Sequence, residues 1–233
     1  MCTVSYLPYG KGFILTSNRD EAPHRSPQRI STLAGTHGQQ LFLPQDTGGG
    51  SWIVASTTGR IACLLNGAFL NHHRRPPYRR SRGLVVLDSF AATNIPTFWD
   101  AYDWEGIEPF TLLHVEGDSL FEGRWDGQRV WLTQKDAAQP HLWASATLYD
   151  ADHRAARAAW FTNWLSSNPA IVPSEAHRFH RQGGSGDLRN DLVMRRAEGV
   201  ETVSISQIIR TDTSLEMHYD HLLDGQKQSI KIR

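Results

Sequence analysis

The chain has 233 residues, of which 39% are hydrophobic and 10% aromatic, enough to bury a full core. Lysine plus arginine and aspartate plus glutamate number 24 each, so no overall charge attracts nucleic acid or an anionic membrane surface. No run approaches the roughly 18 consecutive apolar residues of a membrane helix, and no signal-peptide pattern opens the chain. We therefore expect one domain over residues 1–233, cytoplasmic and without an integral membrane segment.

Hydrophobic patterns predict strands at both ends of the chain and helices between them. The first hairpin is predicted at residues 3–7 and 13–17 around a glycine-containing turn, followed by a polar connection to residue 50. Further strands are predicted at 51–56, 60–65, 110–114, 120–125, 130–133, 202–209, 214–219 and 227–232. Helices are predicted at 84–92, with Ser81 as a cap, at 95–102 and at 150–165. This arrangement predicts an α+β domain of antiparallel sheets covered by helices.

The two cysteines, Cys2 and Cys63, are too few for a disulfide framework and suit a reducing compartment. Cys63 lies among apolar residues of a predicted strand, so we predict a buried core thiol. Methionine aminopeptidase removes Met1 when the second residue is small, as cysteine is. Cys2 would then be the first residue of the mature chain. Because the ordinary pKa of an α-amine, about 7.7–8.0, is close to that of a thiol, about 8.5, one residue then holds a nucleophile and its general base. The alternative is a thiol that is not used.

The segment Asn18-Arg19-Asp20-Glu21 ends the second predicted strand, beside the start of the first. A cation near a thiol favours the thiolate, and a carboxylate can accept the hydrogen bonds of the α-amine. Adjacent strand residues point to opposite faces, so the partner of Arg19 is either Asp20 or Glu21. A surface ion pair at a strand end is the alternative interpretation.

Several segments together resemble one known family. They are Met1-Cys2-Thr3, residues 18–21, Gly49-Gly50-Ser51-Trp52, Asn66-Gly67 and Thr202-Val203-Ser204-Ile205. The family is the NRDE family, whose eukaryotic members are the transport-and-Golgi-organisation protein 2 homologues. The opening is more distantly similar to choloylglycine hydrolases and penicillin V acylases, which are N-terminal-nucleophile (Ntn) hydrolases. The resemblance implies an Ntn-type αββα sandwich of two mainly antiparallel sheets flanked by helices.

The resemblance also implies an activity, the hydrolysis of a C–N bond through a Cys2 thioester. In that reading Cys2 is the nucleophile, Arg19 steadies it, and Asp20 is the carboxylate near the α-amine. Asn18 and Glu21 are supporting residues. The mechanism fails if Met1 is retained, and the substrate would be a small-molecule amide.

Asn66 is the implied donor to the oxyanion. An amide at a strand end, followed by a glycine that opens access to the backbone, can meet the charge of a tetrahedral intermediate. A plain Asn-Gly turn is the alternative.

Positive charge concentrates between residues 71 and 82. Arginine binds carboxylates and phosphates in bidentate fashion, so this loop is a candidate site for an anionic ligand. The candidate residues are Arg74, Arg75, Arg79 and Arg80. A solvated loop is the alternative. The resemblance adds a rival function, a non-catalytic binding or trafficking protein for a hydrophobic anionic ligand such as haem or acyl-CoA.

No cofactor and no metal site are predicted. His177 and His180 can share a helix face, but no second pair of ligands completes a zinc site. The glycines at 183, 184 and 186 lack the lysine of a phosphate-binding loop.

Overall fold

The structure is a computed structural model that describes residues 3–233. The strands are β1 (Thr3–Tyr9), β2 (Gly12–Glu21), β3 (Ile30–Ala34), β4 (Gln40–Pro44), β5 (Ile53–Ser56), β6 (Ile61–Asn66), β7 (Phe110–Glu116), β8 (Ser119–Trp125), β9 (Val130–Lys135), β10 (His141–Ala144), β11 (Glu201–Arg210), β12 (Leu215–His221) and β13 (Lys227–Lys231). The α-helices are α1 (Arg82–Asp88), α2 (Ile95–Ala101), α3 (Ala151–Ser167) and α4 (Pro173–Gln182).

The chain divides into two compact units. Unit 1 comprises Met1–Arg29, Ala138–Ala144 and Tyr149–Arg233, and unit 2 comprises Ile30–Ala137 and Ser145–Leu148. Each unit holds one antiparallel sheet and two of the α-helices named above. The single domain expected over residues 1–233 stays a prediction.

Unit 1 contains the sheet β10-β1-β2-β11-β12-β13. β1 and β2 form a hairpin that turns over Gly10 and Lys11, where Gly10 has the φ of 58° that a tight reversal favours. β2 also pairs with β11, so it lies inside the sheet with a neighbour on each side. The register of β11 shifts between Thr202 and Ser204.

The helices of unit 1 pack on one face of this sheet. Leu7 and Ile14 from the first hairpin pack against Phe161 of α3 and Phe179 of α4. Trp164 adds a ring contact with Phe179, at 5.0 Å between centroids. α3 is capped by Asp150, whose carboxylate accepts a hydrogen bond from the His153 N–H at 2.9 Å. This apolar layer holds α3 and α4 to the strands that carry the signature.

Unit 2 contains the sheet β3-β4-β5-β6-β7-β8-β9, in which every strand pairs with its neighbours in the sequence. α1 is capped by Ser81, whose side chain accepts a hydrogen bond from the Leu84 N–H. Trp99 of α2 lies directly over Gly123, since a Cβ atom there would come within 2.0 Å of the indole. Cys63 is fully buried in β6, so the predicted core thiol is confirmed.

The predicted α+β class, with two mainly antiparallel sheets and flanking helices, is confirmed. The polar connection predicted up to residue 50 is wrong in part, because β3 and β4 form a hairpin within it. β10 was likewise not predicted. Strands of four or five residues show too few alternations for a periodic signal, and their pairing partners stabilise them. Among the described helices, none has the length and apolar character needed to cross a membrane.

Candidate functional site

Cys2, the predicted nucleophile, lies with Met1 outside the described residues. The described ladder between β1 and β2 begins with Thr3 opposite Asn18. Arg19, Asp20 and Glu21 continue β2 beyond that pair, where β11 is their partner. The signature is therefore the end of an interior strand, held on one side by β11.

The four signature residues divide between the two faces of the sheet, because successive strand residues point in opposite directions. Asn18 and Asp20 face α3, α4 and the segment that follows α4, as their hydrogen bonds below show. Arg19 and Glu21 face the other way, with Arg19 Nη2 3.9 Å from Glu21 Oε2. Glu21 also accepts from Arg25 Nη1 at 2.9 Å. This distance between Arg19 and Glu21 supports the alternative in which Glu21 is the partner of Arg19.

Asn18 ties the sheet to α4. Its Nδ2 donates to the carbonyls of His180 at 3.0 Å and Leu192 at 2.7 Å, and its Oδ1 accepts from His180 Nδ1. Complete burial lowers the pKa of His180 to about 3, so the ring is neutral at physiological pH. With its proton on Nδ1, His180 accepts at Nε2 from the Ser5 hydroxyl at 2.7 Å. The network is buried and structural.

Asp20 is held by two hydroxyl donors. The Tyr149 hydroxyl donates to Oδ2 at 2.7 Å and the Thr202 hydroxyl to Oδ1 at 2.5 Å. Tyr149 precedes the cap of α3, and Thr202 lies opposite Asp20 in β11. Because two donors from different elements converge on it, the carboxylate has a fixed direction. This pair of donors and His180 were not identified as site residues from the sequence, since the residues are 129 to 182 positions apart from their partners in the chain.

The face that carries Arg19 is polar and buried. Arg19 itself is 2% exposed, and Ser204, Ser206 and Tyr219 share its face of the sheet. Burial raises the pKa of Tyr219, so its hydroxyl stays protonated and donates to the Pro27 carbonyl at 2.5 Å. A buried guanidinium among hydroxyl groups is a site at which an anion would be stabilised.

Asn66 ends β6 in unit 2. Its carbonyl accepts from the Ser145 hydroxyl at 2.9 Å, and within residues 3–233 no donor reaches its buried Oδ1. Gly67 has a φ of 79°, and a Cβ atom there would lie 2.8 Å from Thr147. The glycine is therefore required by both backbone and space, while the oxyanion role of Asn66 stays a prediction.

The basic loop of unit 2 is largely paired with its own surroundings. Arg79 donates to the carbonyls of Glu105 and Asp103, and Arg80 forms two hydrogen bonds with Asp88. Arg74 lies 3.4 Å from Glu108, with a side chain that is 72% exposed. Arg75 is exposed. The anion site over the four arginines stays a prediction, and two of its members already hold other parts of unit 2.

The two histidines of α4 have separate partners. His177 Nε2 lies 3.2 Å from Asp220 Oδ2, and burial lowers its pKa, whereas His180 is bound to Asn18. Within residues 3–233 no group of three or more His, Cys, Asp or Glu side chains is placed to hold a metal ion.

Over residues 1–165 the sequence matches the family described as TANGO2, Transport and Golgi organisation 2. The chain belongs to the TANGO2 family. This match confirms the resemblance predicted from the signature and its accompanying segments. No curated protein sequence matched the TANGO2-family chain.

Solved structures resemble the TANGO2-family chain over almost its whole length. Penicillin V acylase from Agrobacterium tumefaciens is 11% identical, with a TM-score of 0.60 over 99% of this chain and 86% of that one. A variant of conjugated bile acid hydrolase from Clostridium perfringens is 9% identical, with a TM-score of 0.54 over 99% of this chain and 92% of that one. At such identities the likeness shows the fold alone, and it confirms the predicted Ntn-hydrolase fold.

Proposed function

We propose that the protein is an Ntn-type amidohydrolase whose nucleophile is Cys2. The observation that carries this proposal is the register of β1 and β2. Thr3 is opposite Asn18, so the residue before Thr3, if it continued the antiparallel ladder, would be opposite Arg19. Residues opposite each other share a face. A thiol at that position would share the face of a guanidinium that is 2% exposed, which favours the thiolate.

The proposed reaction proceeds in two balanced steps. The α-amine of Cys2 takes the thiol proton, and the thiolate attacks the amide carbonyl carbon. The C–N bond then breaks, the nitrogen leaves as an amine with the proton from the α-amine, and a thioester remains on Cys2. Water attacks the thioester, giving its proton to the α-amine, and a carboxylic acid leaves while the thiol is restored.

The other site residues have distinct roles in the proposal. Asp20, fixed by Tyr149 and Thr202, accepts a hydrogen bond from the α-amine and orients it. The role that the family resemblance implies for Asn66, donor to the oxyanion of the tetrahedral intermediate, stays a prediction. Glu21 positions Arg19, and Asn18 holds the end of β2 against α4.

The first experiment determines the mature N-terminus and the reactivity of Cys2. Intact-mass analysis of the chain from its native cells should show loss of Met1. A β-lactone probe should then add once, at Cys2, and this addition should be absent in Cys2→Ala. In Arg19→Ala the labelling rate at pH 7 should fall by up to about tenfold, because loss of the cation raises the pKa of the thiol by about one unit and lowers the thiolate fraction.

Arg25→Ala is the matched control for Arg19→Ala. Arg25 also binds Glu21, but its side chain is 43% exposed, so its removal should change the labelling rate less than about twofold. Complete retention of Met1 in native cells would refute the hydrolase. Equal labelling of wild type and Arg19→Ala would refute the role of Arg19 alone. Amine release from a panel of N-acyl amides, lost in Cys2→Ala, would then establish turnover.

The non-catalytic alternative, binding of haem or acyl-CoA, has less support from the described contacts. To use all four arginines of the basic loop, a ligand would have to displace Asp88 from Arg80 and two carbonyls from Arg79. Such displacement offsets part of the gain from a new ion pair.

A further inference from the structure

Arg157 is a buried cation on α3 that was not among the site residues predicted from the sequence. Its side chain is 0% exposed. Its guanidinium donates to the carbonyls of His153 at 3.3 Å, Asn190 at 2.5 Å and Asp191 at 3.2 Å. These acceptors are neutral oxygens. Burying a guanidinium against neutral oxygens costs free energy, so a charge at this position calls for a reason beyond packing.

Two further contacts of Arg157 lead to the proposed reaction centre. Its Nε donates to Thr3 Oγ1 at 3.3 Å, and Thr3 is the residue that follows Cys2. Its guanidinium also lies 3.4 Å from the centroid of the Tyr149 ring, a cation–π distance. Tyr149 is the residue whose hydroxyl donates to Asp20. One cation therefore contacts both the strand end that carries the nucleophile and the donor that holds the carboxylate.

The proposed chemistry creates a need for such a charge. A carboxylate beside an amine stabilises the protonated ammonium form, and a protonated amine cannot accept the thiol proton. Asp20 alone would therefore orient the α-amine but keep it protonated, so that it could not act as a base. A cation on the same side offsets the carboxylate, because it disfavours a second positive charge nearby.

We infer that Arg157 is a positioning residue of the N-terminal centre, which holds Thr3 and Tyr149 and keeps the α-amine unprotonated at neutral pH. The inference rests on the proposed function. His180 on the same face is neutral at this pH. Within residues 3–233, the titratable and charged groups at this end of the sheet include Arg19, Asp20 and Glu21 of β2, Tyr149 and Asp150 before α3, His153 and Arg157 of α3, His180 of α4, and Asp191 and Arg196 before β11.

The test measures the reactivity of the α-amine directly. The full chain is produced as a fusion that a protease cuts to leave Cys2 first, whatever native cells do with Met1. The thiols are first blocked as methyl disulfides, acetic anhydride then modifies the amine between pH 5 and pH 9, and tandem mass spectrometry of the N-terminal peptide reports the amide on Cys2 apart from acetylated lysines. In Arg157→Gln we expect the pH midpoint of acetylation to rise by at least about 0.5 pH unit. Arg157→Lys, which keeps the charge, should stay close to the wild type.

Controls separate charge from packing. Arg154→Gln changes an arginine one turn earlier, which contacts the Asp150 carbonyl, and should leave the midpoint unchanged. Arg157→Met is a second neutral variant that keeps the apolar stem, in case Arg157→Gln does not fold. A folded neutral variant with the wild-type midpoint would overturn the inference, as would a shift in Arg157→Lys equal to that in Arg157→Gln. Neither outcome depends on Met1 removal or β-lactone labelling, which test the proposed function separately.

Discussion

Replacing Asn18 with alanine is expected to lower the free energy of unfolding by about 3 kcal/mol, with a fall in Tm of about 6–12 °C. The fully buried amide donates to two carbonyls and accepts from the His180 ring. Alanine makes none of these hydrogen bonds, so the His180 ring N–H and the His180 and Leu192 carbonyls each lose the partner that Asn18 supplies. Each such loss costs on the order of 1 kcal/mol.

Urea unfolding at pH 7 measures this change. Asn163→Ala is the matched control, because Asn163 is an exposed asparagine on α3 and its removal should cost less than about 0.5 kcal/mol. Asn18→Asp keeps the size of the side chain but turns a carboxylate oxygen toward two carbonyl oxygens, so it should destabilise the protein at least as much as alanine. An Asn18→Ala variant as stable as Asn163→Ala would show that the bond network contributes little.

The division of the signature between two faces explains why its residues differ in kind. Asn18 and Asp20 are fixed by hydrogen bonds to α4, Tyr149 and Thr202, which set the position of the strand end. Arg19 and Glu21 occupy the face on which a thiol at position 2 would lie in the proposal. One strand end thus combines two residues that hold it with two that surround the proposed chemistry.

The sequence predicted the hairpin and the place of the signature because both depend on local information. Gly10 marks the turn, and alternating apolar residues mark the strands on each side of it. Ser81, the predicted cap of α1, is a local signal of the same kind, and the structure adds Asn94 as the cap of α2. Short strands such as β10 lack these signals, since their apolar content is explained only by a partner strand.

The surroundings of the site could not be predicted in the same way. His180, Tyr149 and Arg157 reach their partners across more than 120 residues of chain. No spacing rule connects positions so far apart, and each residue alone is compatible with an ordinary surface or core role. The sequence also left open whether Asp20 or Glu21 is the partner of Arg19. The strand pairing decides which face of the sheet each carboxylate occupies.

The protein is expected to lose stability steeply between pH 6.5 and pH 4.5. Burial lowers the pKa of both His114 and His180 to about 3, aided by the charges of Arg60 and His177 respectively. In the unfolded chain each ring titrates near pH 6.5, so in this window the unfolded state binds more protons than the folded state. The free energy of unfolding therefore falls as the pH falls. Well below pH 6.5, each histidine contributes a loss of about 1.4 kcal/mol per pH unit, so the two together lose up to about 5 kcal/mol over the window.

His114→Leu isolates one of the two contributions. The ring lies among Phe98 and Trp99, and within residues 3–233 neither of its nitrogens has a hydrogen-bond partner, so an apolar residue suits the site. Urea unfolding at several pH values should show the slope of stability against pH falling by about 1.4 kcal/mol per unit. His73→Gln, at an exposed position, should keep the wild-type slope. If His114→Leu also keeps it, His114 is not held neutral by burial, and the acid sensitivity must come from elsewhere.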